Sequence, residues 1–284
     1  MHPAAVSALR CATCTGSLIL AGDSPRQLRC AAGHTFDLAR HGYVDLSGGR
    51  LTHDGDTVGM VAARVATLAA GHLDLVSRAL VETVRTQLPA GGLTPVLDVG
   101  TGTGHHLAHL LEARTDLVGV GVDVSKAALR RAGRAHPRLA AVRADAWRGL
   151  PVRDGAAGLL LSVFAPRSPA EFHRVLAPGS ALVVVTPDPA HLADLVTTFG
   201  LVTVDPAKRE RLAATLTPWF EPVTTEHWNT PLTLSHADLR SLIQMGPSAW
   251  HVDPDVLGRQ LAEIAEPVGS TLAIVIDTWR KRAA

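Results

Sequence analysis

Residues 96–107, V-L-D-V-G-T-G-T-G-H-H-L, constrain the fold of this chain more than any other stretch. An apolar strand runs into a turn with glycine at positions 100, 102 and 104, and helix-forming residues follow. Glycine reaches backbone dihedrals barred to residues with a Cβ, and it lets the chain approach a ligand closely. Around this turn, predicted strands at 95–99, 117–122, 140–143, 157–163 and 181–186 alternate with predicted helices at 105–113, 126–134 and 170–176. Such alternation implies right-handed crossovers and a mostly parallel, doubly wound α/β sheet.

The glycine spacing bears on the ligand. A dinucleotide fingerprint places its third glycine three residues after the second, whereas Gly100, Gly102 and Gly104 alternate strictly. Asp98 sits on the strand just before the turn. A pyrophosphate would be repelled there, and a ligand carrying a sulfonium and an ammonium group would be attracted. In V-G-V-D-V-S, Asp123 falls at the tip of the next strand, where a carboxylate accepts hydrogen bonds from ribose hydroxyls. Asp145, in R-A-D-A after the third strand, stands where this kind of sheet reads an adenine amino group. These residues resemble motifs one to three of the class I (Rossmann-like) methyltransferases, which implies S-adenosylmethionine as cofactor.

The three cysteines, Cys11, Cys14 and Cys30, lie near the N-terminus. An odd, clustered set argues against a disulfide framework. Cys11-x-x-Cys14 is a metal-knuckle spacing, and Cys30-x-x-x-His34 adds a thiolate and an imidazole. A Cys₃His set suits one tetrahedral zinc ion with no open position, hence a structural site. His41 and His53 are rival fourth ligands with looser spacing. A thioredoxin-like reading fails because no βαβ pattern surrounds the pair. Short β-like stretches and turns fill residues 1–50, a segment too small to bury its own core without a staple.

The expected organisation is a zinc-ribbon-like module at 1–50, a linker and two helices at 51–94, and the methyltransferase domain at 95–284. The helical pattern at 57–88 breaks near Gly71–His72. Beyond residue 186 a helix at 191–200, an acid- and base-rich segment, a β-like stretch at 223–234, a helix at 237–245 and a final strand at 270–279 are predicted. Residues 1–10 show no signal-peptide pattern, and the longest apolar runs are too short to span a bilayer, so a cytoplasmic protein is expected. Net charge is +1, which by itself suggests no polyanion partner. In the first module Arg10, Arg26, Arg29, Arg40 and Arg50 oppose Asp23, Asp37 and Asp45. With a Cys₃ zinc site the balance is about +1.

Further segments carry a closer resemblance. They are G-H-T-F-D-L-A-R-H-G-Y-V-D-L (33–46), D-x-x-x-M-V-x-A-R (56–64), A-G-H (70–72), F-A-P (164–166), T-P-x-x-x-H-L (186–192) and M-G-P-S-A-W-H (245–251). In this order, with the knuckle and the glycine turn, the chain resembles the 23S ribosomal RNA guanine-N1 methyltransferases of the RlmA type. G-T-G-H-H-L, R-A-H-P-R and M-G-P-S-A-W-H look closest to their tylosin (macrolide)-resistance branch. The resemblance implies methylation of a guanine N1 in a 23S rRNA hairpin near the macrolide site of the exit tunnel, with the zinc module contacting RNA. It also implies that Leu73, Gly102, Thr103 and His191 touch the cofactor.

Methyl transfer to guanine N1 needs in-line alignment and removal of the N1 proton. The sequence assigns no general base. Phe164, after the fourth strand, and Trp250 are candidates to stack on an extruded base, and packing is the competing role for each. Two other readings stay open: a small-molecule methyltransferase whose zinc module only caps the fold, and a cofactor-binding or RNA-binding protein without catalysis. A homodimer is a further open expectation.

Overall fold

The computed structural model describes every residue except Asp23, Arg50, 52–54, Val204, Pro206 and Ala284. Asp23, Arg50 and His53, which enter the expectations above, lie outside the described residues.

A short helix α1 (Pro3–Val6) precedes three strands, β1 (Leu18–Ala21), β2 (Ser24–Cys30) and β3 (Thr35–Asp37), which form a small antiparallel sheet. Strand β4 (Tyr43–Asp45) then joins the main sheet at its edge. Helices α2 (Val58–Ala69) and α3 (Asp74–Gln87) follow, separated at Gly71, whose φ of +78° ends the first helix. Thr57 starts α2 by accepting the Met60 N–H on its hydroxyl.

The remaining chain runs β5 (Thr94–Val99), α4 (His105–Ala113), β6 (Leu117–Asp123), α5 (Lys126–Ala132), β7 (Leu139–Arg143) and β8 (Ala157–Val163). It continues α6 (Pro169–Val175), β9 (Leu176–Pro187), α7 (Ala193–Phe199), α8 (Lys208–Leu216) and β10 (Phe220–Leu234). It ends α9 (His236–Gln244), α10 (Pro254–Ala262) and β11 (Val268–Lys281).

Among the described residues the main sheet has eight strands in the order β10-β11-β9-β8-β5-β6-β7-β4. Strands from β4 to β9 pair in parallel, and β11 pairs antiparallel to both β9 and β10. The chain winds outward from β5 through β6 to β7, then restarts at β8 on the other side. That reversal is a topological switch point, and the crevice above it is where open α/β sheets bind ligands.

The alternation of side chains along each strand divides the core into two faces. Val96, Leu159, Leu161 and Val183 pack beneath α3, α4, α7, α9 and α10. Leu97, Val99, Val120 and Leu182 pack beneath α6, α8 and the N-terminal segment. Leu18, Leu28 and Val44 belong to this second face and are buried. Each such aliphatic side chain contributes about 1.5–3 kcal/mol on full burial. The small sheet is therefore docked on a shared core. The docking is also polar: Arg10 N–H donates to the Pro151 carbonyl at 3.0 Å, and Arg153 N–H to that of Ala8 at 2.9 Å.

Three helices go beyond the sequence expectation: the four-residue α1, α8 and α10. In α8 only Leu212 and Leu216 are buried, and in α10 only Leu257 and Leu261. One pair four residues apart gives a weak helical period, so α8 reads from sequence as a charged connector.

Candidate cofactor cleft and metal centre

The glycine turn caps the C-terminal end of β5 at the switch point. Gly100, Gly102 and Gly104 adopt φ of +76°, +55° and +77°, values open to glycine and strained for other residues. The Gly100 and Thr101 N–H groups donate to the Val122 carbonyl at 2.8 and 3.1 Å, folding the turn over β6. A Cβ on Gly100 would stand 2.5 Å from the Ala165 Cβ. The F-A-P loop after β8 thus closes against the first glycine. Gly104 gives α4 its close approach to Ala132, 3.1 Å from where its Cβ would be.

The three acids sit at neighbouring strand ends. Asp98 is buried, and its Oδ1 has no hydrogen-bond partner among the described residues. Burial pushes its carboxyl up to about 7, and the nearby Asp123 charge pushes the same way. A buried carboxylate oxygen without a partner calls for a donor or a cation. Asp123 accepts the Gly102 N–H on Oδ2 and the Ser125 N–H on Oδ1, both at 2.8 Å, and so ties the turn to β6. Burial still raises its pKa, making it a weaker acid than a free carboxyl. Each oxygen keeps lone-pair capacity for a hydroxyl donor. Asp145 is buried after β7 and accepts the Trp147 N–H at 2.9 Å.

After β8, Phe164 holds a φ of +50° with its ring exposed. A non-glycine residue in that region is uncommon, and such strain gathers at functional sites. The His191 ring lies 6.2 Å from it, centroid to centroid. His191 Nδ1 accepts the Ala273 N–H at 3.4 Å, and burial lowers its affinity for a second proton. In the neutral ring the proton then rests on Nε2. Thr103 is buried within the turn. Leu73 is buried just before α3, in the apolar cluster with Val76 and Leu107. Trp250 is exposed on a one-turn helix at Pro247–Trp250 and has no ring partner among the described residues. Phe164 and His191 are thus brought together, and among the described residues Trp250 makes no ring contact with either.

One group in the cleft has no role in the sequence reading. Arg64 on α2 donates through Nε and Nη2 to Asp56 Oδ2 at 3.1 and 2.7 Å, and through Nη2 to the Met245 carbonyl at 3.0 Å. The Asp56 carbonyl accepts the Ser125 hydroxyl at 2.8 Å, which seats this segment over the start of α5. Asp56 and Arg64 are the two ends of D-x-x-x-M-V-x-A-R, so the signal was present without an assigned purpose.

At the N-terminus, Cys11, Cys14, Cys30 and His34 place their ligand atoms within 4.8 Å of one another. Cys14 and Cys30 sulfurs are 3.7 Å apart, and His34 Nδ1 lies 3.7 Å from Cys11 and 3.3 Å from Cys30. Tetrahedral bonds of about 2.3 Å to sulfur and about 2.05 Å to nitrogen would set these separations near 3.8 and 3.5 Å. The donor set and its spacing fit zinc. Gly33, at φ +86°, turns the chain so that His34 faces Cys30. Burial opposes ionisation of Cys11, but the Cys14 and Thr13 backbone N–H groups outweigh it and bring the thiol to about 7. His41 is elsewhere, accepting Arg40 Nε at 3.1 Å, so of the two rival ligands it is not part of the cluster.

A family model described as "Methyltransferase domain" matches residues 96–179, and a zinc-ribbon model described as "RlmA, N-terminal" matches residues 9–47. The chain is 47% identical to the 23S rRNA (guanine(748)-N(1))-methyltransferase of Streptomyces fradiae over 99% of both chains. It is 46% identical, over 99% of both chains, to a Micromonospora griseorubida protein provisionally named 23S rRNA (guanine-N(1)-)-methyltransferase. Among solved structures, the YcgJ protein of Bacillus subtilis superposes with a TM-score of 0.52 at 15% identity, covering 73% of this chain and 98% of that one. That last likeness concerns the fold. Among the described residues, no single helix is long and apolar enough to cross a membrane.

Proposed function

Because the chain belongs to the 23S rRNA (guanine-N1)-methyltransferase family, we propose that it methylates N1 of the 23S rRNA hairpin guanine equivalent to position 748. The modification would protect against macrolides. The observation that carries the reading is the near full-length likeness, with a Cys₃His cluster and an acid-lined glycine turn in one chain.

The enzyme is S-adenosylmethionine-dependent and has one structural zinc. When bound, S-adenosylmethionine supplies a methyl carbon made electrophilic by its sulfonium. Asp98 offers its unpartnered oxygen to the ammonium end, and Asp123 offers lone pairs to the ribose. The Gly100–Gly104 backbone, including Gly102 and Thr103, allows close approach, and Asp145 stands at the adenine end.

Phe164 presents its ring to an extruded guanine, and the neutral His191 ring beside it carries its proton on Nε2. In that tautomer His191 donates a hydrogen bond and does not take the N1 proton. Cys11, Cys14, Cys30 and His34 hold the zinc and leave it no open position, so the metal shapes the module and stays out of the chemistry. The shaped module meets the rRNA. A ribosomal substrate puts the enzyme to work in the cytoplasm.

Primer extension on ribosomal RNA from cells with and without the gene tests this. An N1 methyl blocks the Watson–Crick edge, so a reverse-transcriptase stop at the hairpin guanine is expected only when the gene is present. The same strain should tolerate more macrolide. No stop, together with methylation of a small molecule in vitro, would sink the RNA reading.

A further inference from the structure

We propose that Arg64 is the anchor for the carboxylate of the cofactor's amino-acid end. The argument begins with charge. The cleft gathers Asp98 and Asp123, both suited to a sulfonium and an ammonium. S-adenosylmethionine also carries a carboxylate, which those acids repel and which needs a cation of its own.

Arg64 is placed to supply it. Its Cδ lies 3.9 Å from where a Cβ on Gly102 would stand, so its stem lines the glycine turn. Burial dominates the titration of Asp123, and the nearby Arg64 charge favours its ionised form to a smaller degree. Asp56 takes Nε and one Nη2 proton, and the Met245 carbonyl takes the other. Nη1 has no protein partner among the described residues, so two charge-assisted donors are free for an anion.

The same guanidinium has a second consequence. Met245 opens M-G-P-S-A-W-H, the segment that ends in the one-turn helix carrying Trp250. Arg64 thereby joins the cofactor turn to the segment that carries Trp250 through one planar fork.

The proposal rests on the cofactor assignment and not on the RNA substrate, so it is tested by binding alone. The probes are S-adenosylmethionine and its decarboxylated form, which keeps the sulfonium and the ammonium and lacks only the carboxylate. Isothermal titration on the zinc-loaded protein should show the wild type preferring the intact cofactor by about 10- to 100-fold. In Arg64→Ala that ratio should collapse to within about threefold, and in Arg64→Lys it should be intermediate. Partial unfolding weakens both ligands alike and leaves the ratio untouched, which separates anchoring from propping. An unchanged ratio in Arg64→Ala overturns the anchor. A wild type that binds neither compound overturns the cofactor assignment and the anchor with it.

Discussion

The metal centre and the cofactor cleft are built in opposite ways. The four metal ligands come from one short stretch, residues 11–34, and their geometry is set by a knuckle and the Gly33 turn. The cleft draws on Asp56, Asp98, Gly102, Asp123, Phe164, His191 and Ala273, which only the folded sheet and the helices packed on it bring together. A local site of this kind leans on its ion for stability, whereas a dispersed one leans on the core beneath it. Here the contrast is tempered, because Leu18, Leu28 and Val44 of the metal-binding segment share a core with Leu97, Val99 and Val120 of the sheet. Loss of the ion should therefore be felt by the whole molecule as lost stability, and by the cleft hardly at all.

The largest expected effect tests that coupling. Cys30→Ser, or a strong chelator, should remove the metal and lower the melting temperature by on the order of 10 °C or more, in a single transition. Structural zinc contributes about 10–16 kcal/mol of apparent binding energy in isolated fingers, and each kcal/mol moves a domain of this size by about 2–4 °C. Below the melt, S-adenosylmethionine affinity should stay within about threefold of wild type. Two separate calorimetric transitions would show that the shared core does not couple the regions. A collapse of cofactor affinity at 20 °C would show that the sites themselves are linked.

Gly100→Ala probes the opposite end. The new methyl group would meet the Ala165 Cβ at 2.5 Å in a backbone conformation strained for alanine. Cofactor affinity should fall by about 100-fold or more, and stability by about 1–3 kcal/mol, with zinc content unchanged. Gly100→Ala combined with Ala165→Gly should restore the part due to the clash and leave the part due to φ. If the double variant recovers nothing, the contact with the F-A-P loop is not what limits the turn.

The same contrast explains what could be read from the sequence. The zinc ligands were legible because coordination chemistry restricts residue type and spacing, and all four are neighbours in the chain. The glycine turn and the strand-end acids were legible because a parallel sheet delivers successive strand ends to one crevice. Arg64 was not, since nothing in D-x-x-x-M-V-x-A-R says that α2 lies across Gly102 from another part of the fold. The tautomer of His191 was hidden for the same reason: it is set by Ala273, on the last strand. Helix α8 escaped because two buried leucines do not make a period, and the shared core escaped because Leu18 and Leu28 look like the meagre interior of a small module.

Phe164→Ala separates acceptor from cofactor within the cleft. The ring is exposed, so stability should change by less than about 0.5 kcal/mol and S-adenosylmethionine affinity by less than about threefold. Base–aromatic stacking is worth about 1–3 kcal/mol, so single-turnover methylation of the rRNA hairpin should slow by about 5- to 150-fold. A variant that methylates at the wild-type rate would move the stacking role to Trp250 or elsewhere.

The smallest effect is a pH dependence, and its sign follows from Asp98. Burial raises this carboxyl to about 7, far above its value in an unfolded chain. Its contribution to stability is therefore fully present below about pH 4 and is lost as pH rises through about 7. With Asp98 in its proposed role, cofactor binding runs the other way, because the ammonium needs the ionised form and must displace the proton. Between about pH 7 and pH 6 the free cofactor's α-amino group, at about 7.7–8.0, stays mostly protonated, so the protein dominates the change. Affinity should weaken by about fivefold over that unit as Asp98 takes up its proton, and Asp98→Asn should be weaker throughout and flat. The metal-depleted Cys30→Ser protein, while folded, should keep the slope of the wild type. If its slope vanished, Asp98 would owe its burial to the zinc module across the sheet, and the two regions would differ less than their construction suggests.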